Sequence, residues 1–205
     1  MIRTTRKTFL LTTIFLVLTL LVKAHSVYNV MSYGAKGNGV ADDAAAIQKA
    51  IDKCEQNGGG IVLFPSNHVF ISGPLELKSN VELHLETTAT LKANPDESIY
   101  KISAFGKNEG EGMLWIWAKN ADNISITGKG CIHGNGISFM GKELGDSYEL
   151  KPVTNFDPRP HVLSLTDVRN LTIKDVTIRE GAYWTVHLIG CNGAVIDGIN
   201  LLNNL

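Results

Sequence analysis

The sequence predicts an all-β fold, a right-handed parallel β-helix closed near its N-terminal end by a single α-helix, and three features carry that expectation. Beyond Gly60 apolar residues alternate with polar ones in short runs: Ile61 and Leu63; Val69 and Ile71; Val81, Leu83 and Leu85; Ile124 and Ile126. That spacing belongs to half-buried strands, and Gly, Asn, Asp and Pro separate the runs. The runs also repeat. Leu171, Ile173, Val176 and Ile178 are matched 23 positions later by Ala194, Ile196, Ile199 and Leu201, and Leu163 and Leu165 shift onto Val186 and Leu188 by the same step. Asp122-Asn123-Ile124-Ser125-Ile126 begins like Arg169-Asn170-Leu171-Thr172-Ile173 at a distance of 47, close to two such steps. A strand-built period in the twenties marks a solenoid. The leucine-rich repeat has a similar period, but its leucine-dominated consensus is absent, and valine and isoleucine do most of the alternating.

The third feature is that only one segment has strong helical spacing. Ile47, Ala50, Ile51 and Cys54 fall on one face of a helix expected over about 42–56, which ends at Asn57-Gly58-Gly59-Gly60. Val27–Val30 reads as a strand before it, and Gly34-Ala35-Lys36-Gly37-Asn38-Gly39 as a turn. That turn is no phosphate cradle, because it lacks both the Lys-Ser/Thr of a P-loop and the G-x-G-x-x-G order. The pair Asp42-Asp43 has the residue type for acid–base work, but at a helix start an aspartate accepts a backbone N–H and meets the positive end of the dipole. Capping is the role expected of it. The helix would cover the open first coil, whose backbone and apolar surface would otherwise stay unpaired.

Of the 205 residues 44% are hydrophobic and 19% charged, enough apolar material for one domain core. Lysine and arginine number 19 against 20 acids, but the first 24 residues hold Arg3, Arg6, Lys7 and Lys23 and no acid, leaving 15 against 20 in the rest. That balance argues against a nucleic-acid partner. Arg3, Arg6 and Lys7 precede the apolar stretch Phe9–Val22, and Val22-Lys23-Ala24 offers small residues for cleavage. Residues 1–24 read as a secretory signal and 25–205 as one β-helix domain; the competing membrane anchor is disfavoured because the apolar stretch is shorter than the roughly 20 residues a bilayer needs. The location expected is extracellular, or periplasmic in a Gram-negative host, with no membrane association after cleavage. Cys54, Cys131 and Cys191 match no metal spacing and read as small buried residues, although an exported chain permits disulfides. Asn123-Ile124-Ser125 and Asn170-Leu171-Thr172 are glycosylation sequons.

Two polar stretches, about Asn94–Gly112 and Asn135–Pro160, interrupt the ladder. Insertions in a solenoid leave at the corners between strands and gather on one face, so both are expected to wall a groove.

Several stretches resemble a known family. Tyr28-Asn29-Val30, the Gly34–Gly39 turn, Asp42-Asp43, Ala46–Ile51 and Gly59–Pro65 are similar to the opening shared by pectin-degrading β-helix enzymes, the pectin-lyase-like solenoids. Asn123–Gly128, Gly130-Cys131-Ile132-His133-Gly134-Asn135-Gly136, Arg159-Pro160-His161, Tyr183-Trp184-Thr185-Val186-His187 and Gly190-Cys191 follow the order of glycoside hydrolase family 28, the polygalacturonases. The resemblance covers nearly all of the chain after the signal. It implies inverting hydrolysis of α-1,4 galacturonosidic bonds in pectin, a pectic polysaccharide as partner, no cofactor or metal, and a monomer at full length. His133 departs from the aspartate common at that place, and Ile137-Ser138-Phe139 from the usual tryptophans.

The family's catalytic aspartates lie in an Asn-Thr-Asp-like motif and an Asp-Asp pair after the Trp-x-x-His segment, followed by Gly-His-Gly and Arg-Ile-Lys motifs. None of the four occurs here in that place, and no catalytic residue is assigned. Glu143, Asp146 and Asp157 match no motif. The expectation is therefore an N-terminal part of a β-helix, truncated at its C-terminal end and inactive alone, that retains substrate-binding residues: Arg159 for a uronate carboxylate, Trp184 for a sugar ring, His187 for a hydroxyl or carboxylate. A pectate-type lyase and a non-catalytic glycan-binding β-helix are the alternatives.

Overall fold

The computed structural model describes residues 26–104, 112–143, 150–152 and 159–203. The chain climbs in coils of two or three strands. The first holds β1 (Val27–Asn29) and β2 (Asn38–Asp42), after which α1 (Ala44–Gln56) packs across its open end. The second holds β3 (Gly60–Phe64), β4 (Val69–Ser72) and β5 (Leu75–Glu76), and the third β6 (Val81–Leu85), β7 (Thr90–Ala93) and β8 (Met113–Lys119). In the fourth, β9 (Asp122–Gly128) and β10 (Cys131–His133) are followed by β11 (Met140–Glu143) and β12 (Leu150–Pro152), an antiparallel excursion, before β13 (Pro160–Thr166). The fifth holds β14 (Arg169–Lys174), β15 (Thr177–Arg179) and β16 (Val186–Ile189), and the last β17 (Val195–Asp197) and β18 (Asn200–Leu202).

Stacking the coils makes three parallel sheets: β1-β3-β6-β9-β14-β17, β2-β4-β7-β10-β15-β18 and β5-β8-β13-β16. The repeat read from the sequence is the register of these sheets. Ile173 lies beside Ile196, Ile178 beside Leu201, Leu163 beside Val186, and Leu171 beside Ile124. Each inward position becomes a column of like residues, such as Val62, Leu83, Ile126 and Ile173 in the first sheet and Phe70, Leu91, Ile132 and Ile178 in the second, all fully buried. Burying each such side chain contributes about 1.5–3 kcal/mol. The columns end at Ile196 and Leu201, 45% and 50% exposed, over which no described residue stacks.

Two of the corners are tight and repeat as columns of residues with positive φ. At the corner from third to first sheet Asn120, Asp167 and Gly190 directly follow strands of the third, and Asn80, Asn123, Asn170 and Gly193 stand at or just before the start of strands of the first; the corner from first to second sheet has Asn67, Thr88, Asp175 and Gly198. In the column that begins at Asn80, Asn123 Nδ2 donates to Asn80 Oδ1 at 2.8 Å and Asn170 Nδ2 to Asn123 Oδ1 at 3.0 Å. Both sequon asparagines thus belong to an amide ladder. Gly128, at φ 99°, has no room for a side chain, since a Cβ would stand 2.0 Å from the Leu85 carbonyl oxygen. The third corner, from second to third sheet, differs: both long insertions leave from it, after β7 and after β10.

The helix buries Ile47, Ala50, Ile51 and Cys54, as their spacing implies, but begins at Ala44 rather than 42. The strand before it runs on because the Asp43 N–H is taken by the Ile71 carbonyl of β4 at 2.7 Å. For the same reason Asn38 and Gly39, read as turn, enter β2, and the first strand stops at Asn29, whose side chain accepts from Met31 and starts a short 3-10 turn. The cysteines are free, and only Cys54 is fully buried; burial pushes its thiol up to about 11.

The adjacent aspartates divide the work. Asp42 Oδ1 accepts the Ala44 N–H at 2.8 Å, the bond of a helix start, while its other oxygen accepts from Asn94. The buried Asp43 carboxylate instead accepts the N–H groups of Lys36 at 2.6 Å and Gly37 at 3.0 Å, tying the glycine-rich turn to the helix. An amide at 43 offers one acceptor where two are needed. Asp43→Asn is therefore expected to lower unfolding free energy by about 1–3 kcal/mol, and Asp42→Asn by only a few tenths, measured by urea denaturation.

Candidate functional site

The three residues singled out from the sequence meet at the insertion-bearing corner. Arg159 immediately precedes β13, Tyr183 and Trp184 lie in the short connection from β15 to β16, and His187 is on β16. Backbone bonds fix this connection: Val162 N–H donates to the Trp184 carbonyl at 3.0 Å and Leu163 N–H to that of Thr185 at 3.1 Å. Asn203 braces it from the last coil, its Nδ2 donating to Thr185 Oγ1 and its Oδ1 accepting from Gly181.

The side chains form one aromatic and cationic cluster. The Arg159 guanidinium carbon stands 4.8 Å from the Tyr183 ring centroid, and the Tyr183 and Trp184 rings are nearly parallel, 14° apart with centroids 6.0 Å distant. Trp184 meets His187 edge to face at 4.3 Å. Trp184 remains 47% exposed, so the indole is surface rather than core. Beneath it lies His161, fully buried, with centroids 5.3 Å from Trp184 and 4.9 Å from His187. The two histidines approach Nδ1 to Nδ1 at 3.0 Å, so one imidazole donates to the other and at least one is neutral. Burial lowers the His187 pKa below the ordinary histidine value.

His161 was quoted from the sequence only as part of Arg159-Pro160-His161, and Tyr183 only as part of its run; neither carried a role. Alternation could have pointed to His161, since it leads a strand whose every other residue is apolar. His133 lies elsewhere, outward on the second sheet. Its Nδ1 accepts the Asn135 N–H at 3.0 Å and its Nε2 stands 3.5 Å from Glu180, and burial lowers its pKa too. Of the acids without a motif, Asp146 and Asp157 lie outside the described residues, and Glu143 falls in β11, its side chain outside them as well. The presumed signal segment is also outside them; among the described residues no helix is long and apolar enough to cross a membrane.

Three stacked parallel sheets with one capping helix define the chain as a right-handed parallel β-helix of the pectin-lyase-like class. Its resemblance runs to the family 28 polygalacturonases and to pectate-lyase-like epimerases. The family model described as rhamnogalacturonase A/epimerase, pectate lyase-like, matches residues 27–127. An exopolygalacturonase of Zea mays is 26% identical over 85% of this chain and 40% of its own length. The plasmin and fibronectin-binding protein A of Streptococcus pneumoniae is 30% identical over 85% of this chain and 24% of its own length. The chain thus spans well under half of these relatives. The structure of a hyperthermoactive exopolygalacturonase from Thermotoga maritima shares the fold, with a TM-score of 0.71 at 23% identity over 87% of this chain and 47% of that one.

Histidines whose pKa is lowered by burial contribute to the loss of stability on acidification. His187 and His133 have depressed values in the folded chain, so below the ordinary histidine value the unfolded chain binds more protons. Stability is then lost as pH falls through the ordinary value, about 6.5, toward the depressed ones. Urea unfolding at pH 7.5 and 5.5 is expected to show this loss, and His187→Asn to make it shallower.

Proposed function

We propose that the chain is the N-terminal part of a secreted pectin-acting glycoside hydrolase of the polygalacturonase type, and that the corner formed by Arg159, Tyr183, Trp184 and His187 holds a uronate unit of the polysaccharide. The observation that supports this most is the exposed Trp184 face beside a guanidinium ordered over Tyr183, on the one corner that carries both insertions. An apolar ring face suits the C–H face of a pyranose, and Arg159 suits its carboxylate. With its pKa lowered by burial and its Nδ1 paired with that of His161, His187 serves as a hydrogen-bonding group rather than a fixed charge.

Inverting hydrolysis needs one carboxyl to protonate the leaving oxygen and another to activate water, about 6.5–9.5 Å apart. In the family these follow the Trp-x-x-His segment. A strand stacked on β16 would bring them within roughly one coil spacing, 4.8 Å, of Trp184 and His187. The residues present would orient the substrate, and aspartates from further coils would perform the chemistry. The chain is expected to bind polygalacturonate without releasing reducing ends, and a longer reading frame with the Asn-Thr-Asp-like and Asp-Asp motifs to hydrolyse it. Arg159→Ala should weaken binding about tenfold, and less for carboxyl-reduced polymer. Turnover by the 205-residue chain would overturn the assignment. Unsaturated, ultraviolet-absorbing products abolished by a chelator would indicate a lyase instead.

A second reading, a non-catalytic surface β-helix, is favoured by the likeness to the Streptococcus pneumoniae binding protein. A longer reading frame without paired aspartates would select it.

A further inference from the structure

The outward face of the second sheet gathers positive charge beside the corner where it meets the first. Leu91, Ile132 and Ile178 are fully buried, so their neighbours on β7, β10 and β15 face out: Thr90, Cys131 and Thr177 in one register row, Lys92, His133 and Arg179 in the next. Lys129 stands exposed in the turn from β9 to β10. Among the described residues Lys92, Lys129 and Arg179 have no ion-pair partner. A groove of about 290 Å³ opens here, and its walls include Lys129, Arg179, Thr90, Cys131, Thr177 and Leu202. Among the described residues no acid lines it. Glu180 is turned to His133, 3.5 Å from its Nε2, and Glu86 at the same corner accepts from Ser66. The Thr90 and Thr177 hydroxyls have no hydrogen-bond partner among the described residues, whereas the backbone beneath them is fixed: Cys131 N–H donates to the Ala89 carbonyl at 2.8 Å and Thr177 N–H to that of Gly130 at 3.1 Å.

We propose that this groove binds one acidic sugar unit, with Lys129 and Arg179 taking its carboxylate. A carboxylate accepts from a guanidinium fork and an ammonium at once, and with no acid in the walls the two cations keep a local field that favours an anion. Leu202, 52% exposed, offers an apolar wall to the C–H face of the ring, and Thr90 and Thr177, two coils apart, offer hydroxyls to those of the sugar. A volume at the lower end of small-ligand sites suits one unit rather than a length of polymer. The groove lies on a different sheet and at a different corner from Trp184, so it stands or falls apart from the proposed pectin site.

Cys131 supplies a readout local to the groove. Alkylation of the purified chain by iodoacetamide is followed at Cys131 and, as internal control, at Cys191, with galacturonate, neutral galactose or inorganic sulfate added. Galacturonate is expected to slow the reaction at Cys131 and leave Cys191 unchanged, galactose to protect neither, and sulfate to protect Cys131 only at much higher concentration. Lys129→Glu, on an exposed turn, should raise the galacturonate concentration needed for half-protection about tenfold, and Arg179→Gln, on the outward face of its strand, by a similar factor. Circular dichroism of each variant checks that the fold is kept, and the two substitutions, in separate elements, give independent arms. No protection of Cys131, or protection that neither substitution weakens, would overturn the site while leaving the Trp184 corner untouched. Equal protection by sulfate would overturn the acidic-sugar assignment.

Discussion

Register between coils is the constraint on which the rest of this structure depends. A parallel strand pair at about 4.8 Å spacing places each side chain on top of its counterpart one coil away, so one position per coil becomes a column through the molecule. Inward columns must be apolar and similar in size, and the run of Val62, Leu83, Ile126 and Ile173 satisfies that. A one-residue slip in any coil would turn its apolar side chains to solvent and break the columns above and below. Polar columns add specificity. The ladder of Asn80, Asn123 and Asn170 forms only in the observed register, because each amide must meet the one a coil away.

The same constraint decides where variation is possible. The corner from third to first sheet and the corner from first to second each repeat left-handed backbone, supplied mainly by columns of Asn, Asp and Gly, and hold short connections. The corner between second and third sheets has such residues too, Asn135 and Glu180, but also admits long connections. It carries the long insertions in the third and fourth coils and, in the fifth, the short connection bearing Tyr183 and Trp184. The candidate site thus lies at the corner whose length varies most from coil to coil, beside the third sheet.

Fold and site were legible in the sequence to different depths. Repeats of 23 and 47 residues, together with β alternation, are direct images of the stack, so the partners of β14, β15 and β16 in the later coils could be read to the residue, while the bounds of β1 and β2 could not. The capping helix was visible through Ile47, Ala50, Ile51 and Cys54, but its start was not, because the Asp43 N–H is claimed by Ile71, a contact between coils that local spacing does not encode. The separate tasks of Asp42 and Asp43 were hidden for the same reason: Lys36 and Gly37 reach Asp43 through the tertiary path of the turn. At the candidate site, resemblance singled out Arg159, Trp184 and His187 but gave no role to His161 beneath them, although His161 stands in the Arg159-Pro160-His161 run and in step with Leu163 and Leu165.

Trp117 shows how much further the repeat could have been carried. It lies 47 positions before Ser164, which lies 23 before His187, the same two steps that aligned the aliphatic residues. Periodicity is usually used to find what is inside a solenoid, because inward positions are uniform and so announce themselves. Outward positions obey the same register without any need to resemble one another, and their chemistry is set by what lies along the face. The repeat that fixes the core therefore also fixes a ruler on the surface, marked in steps of one coil.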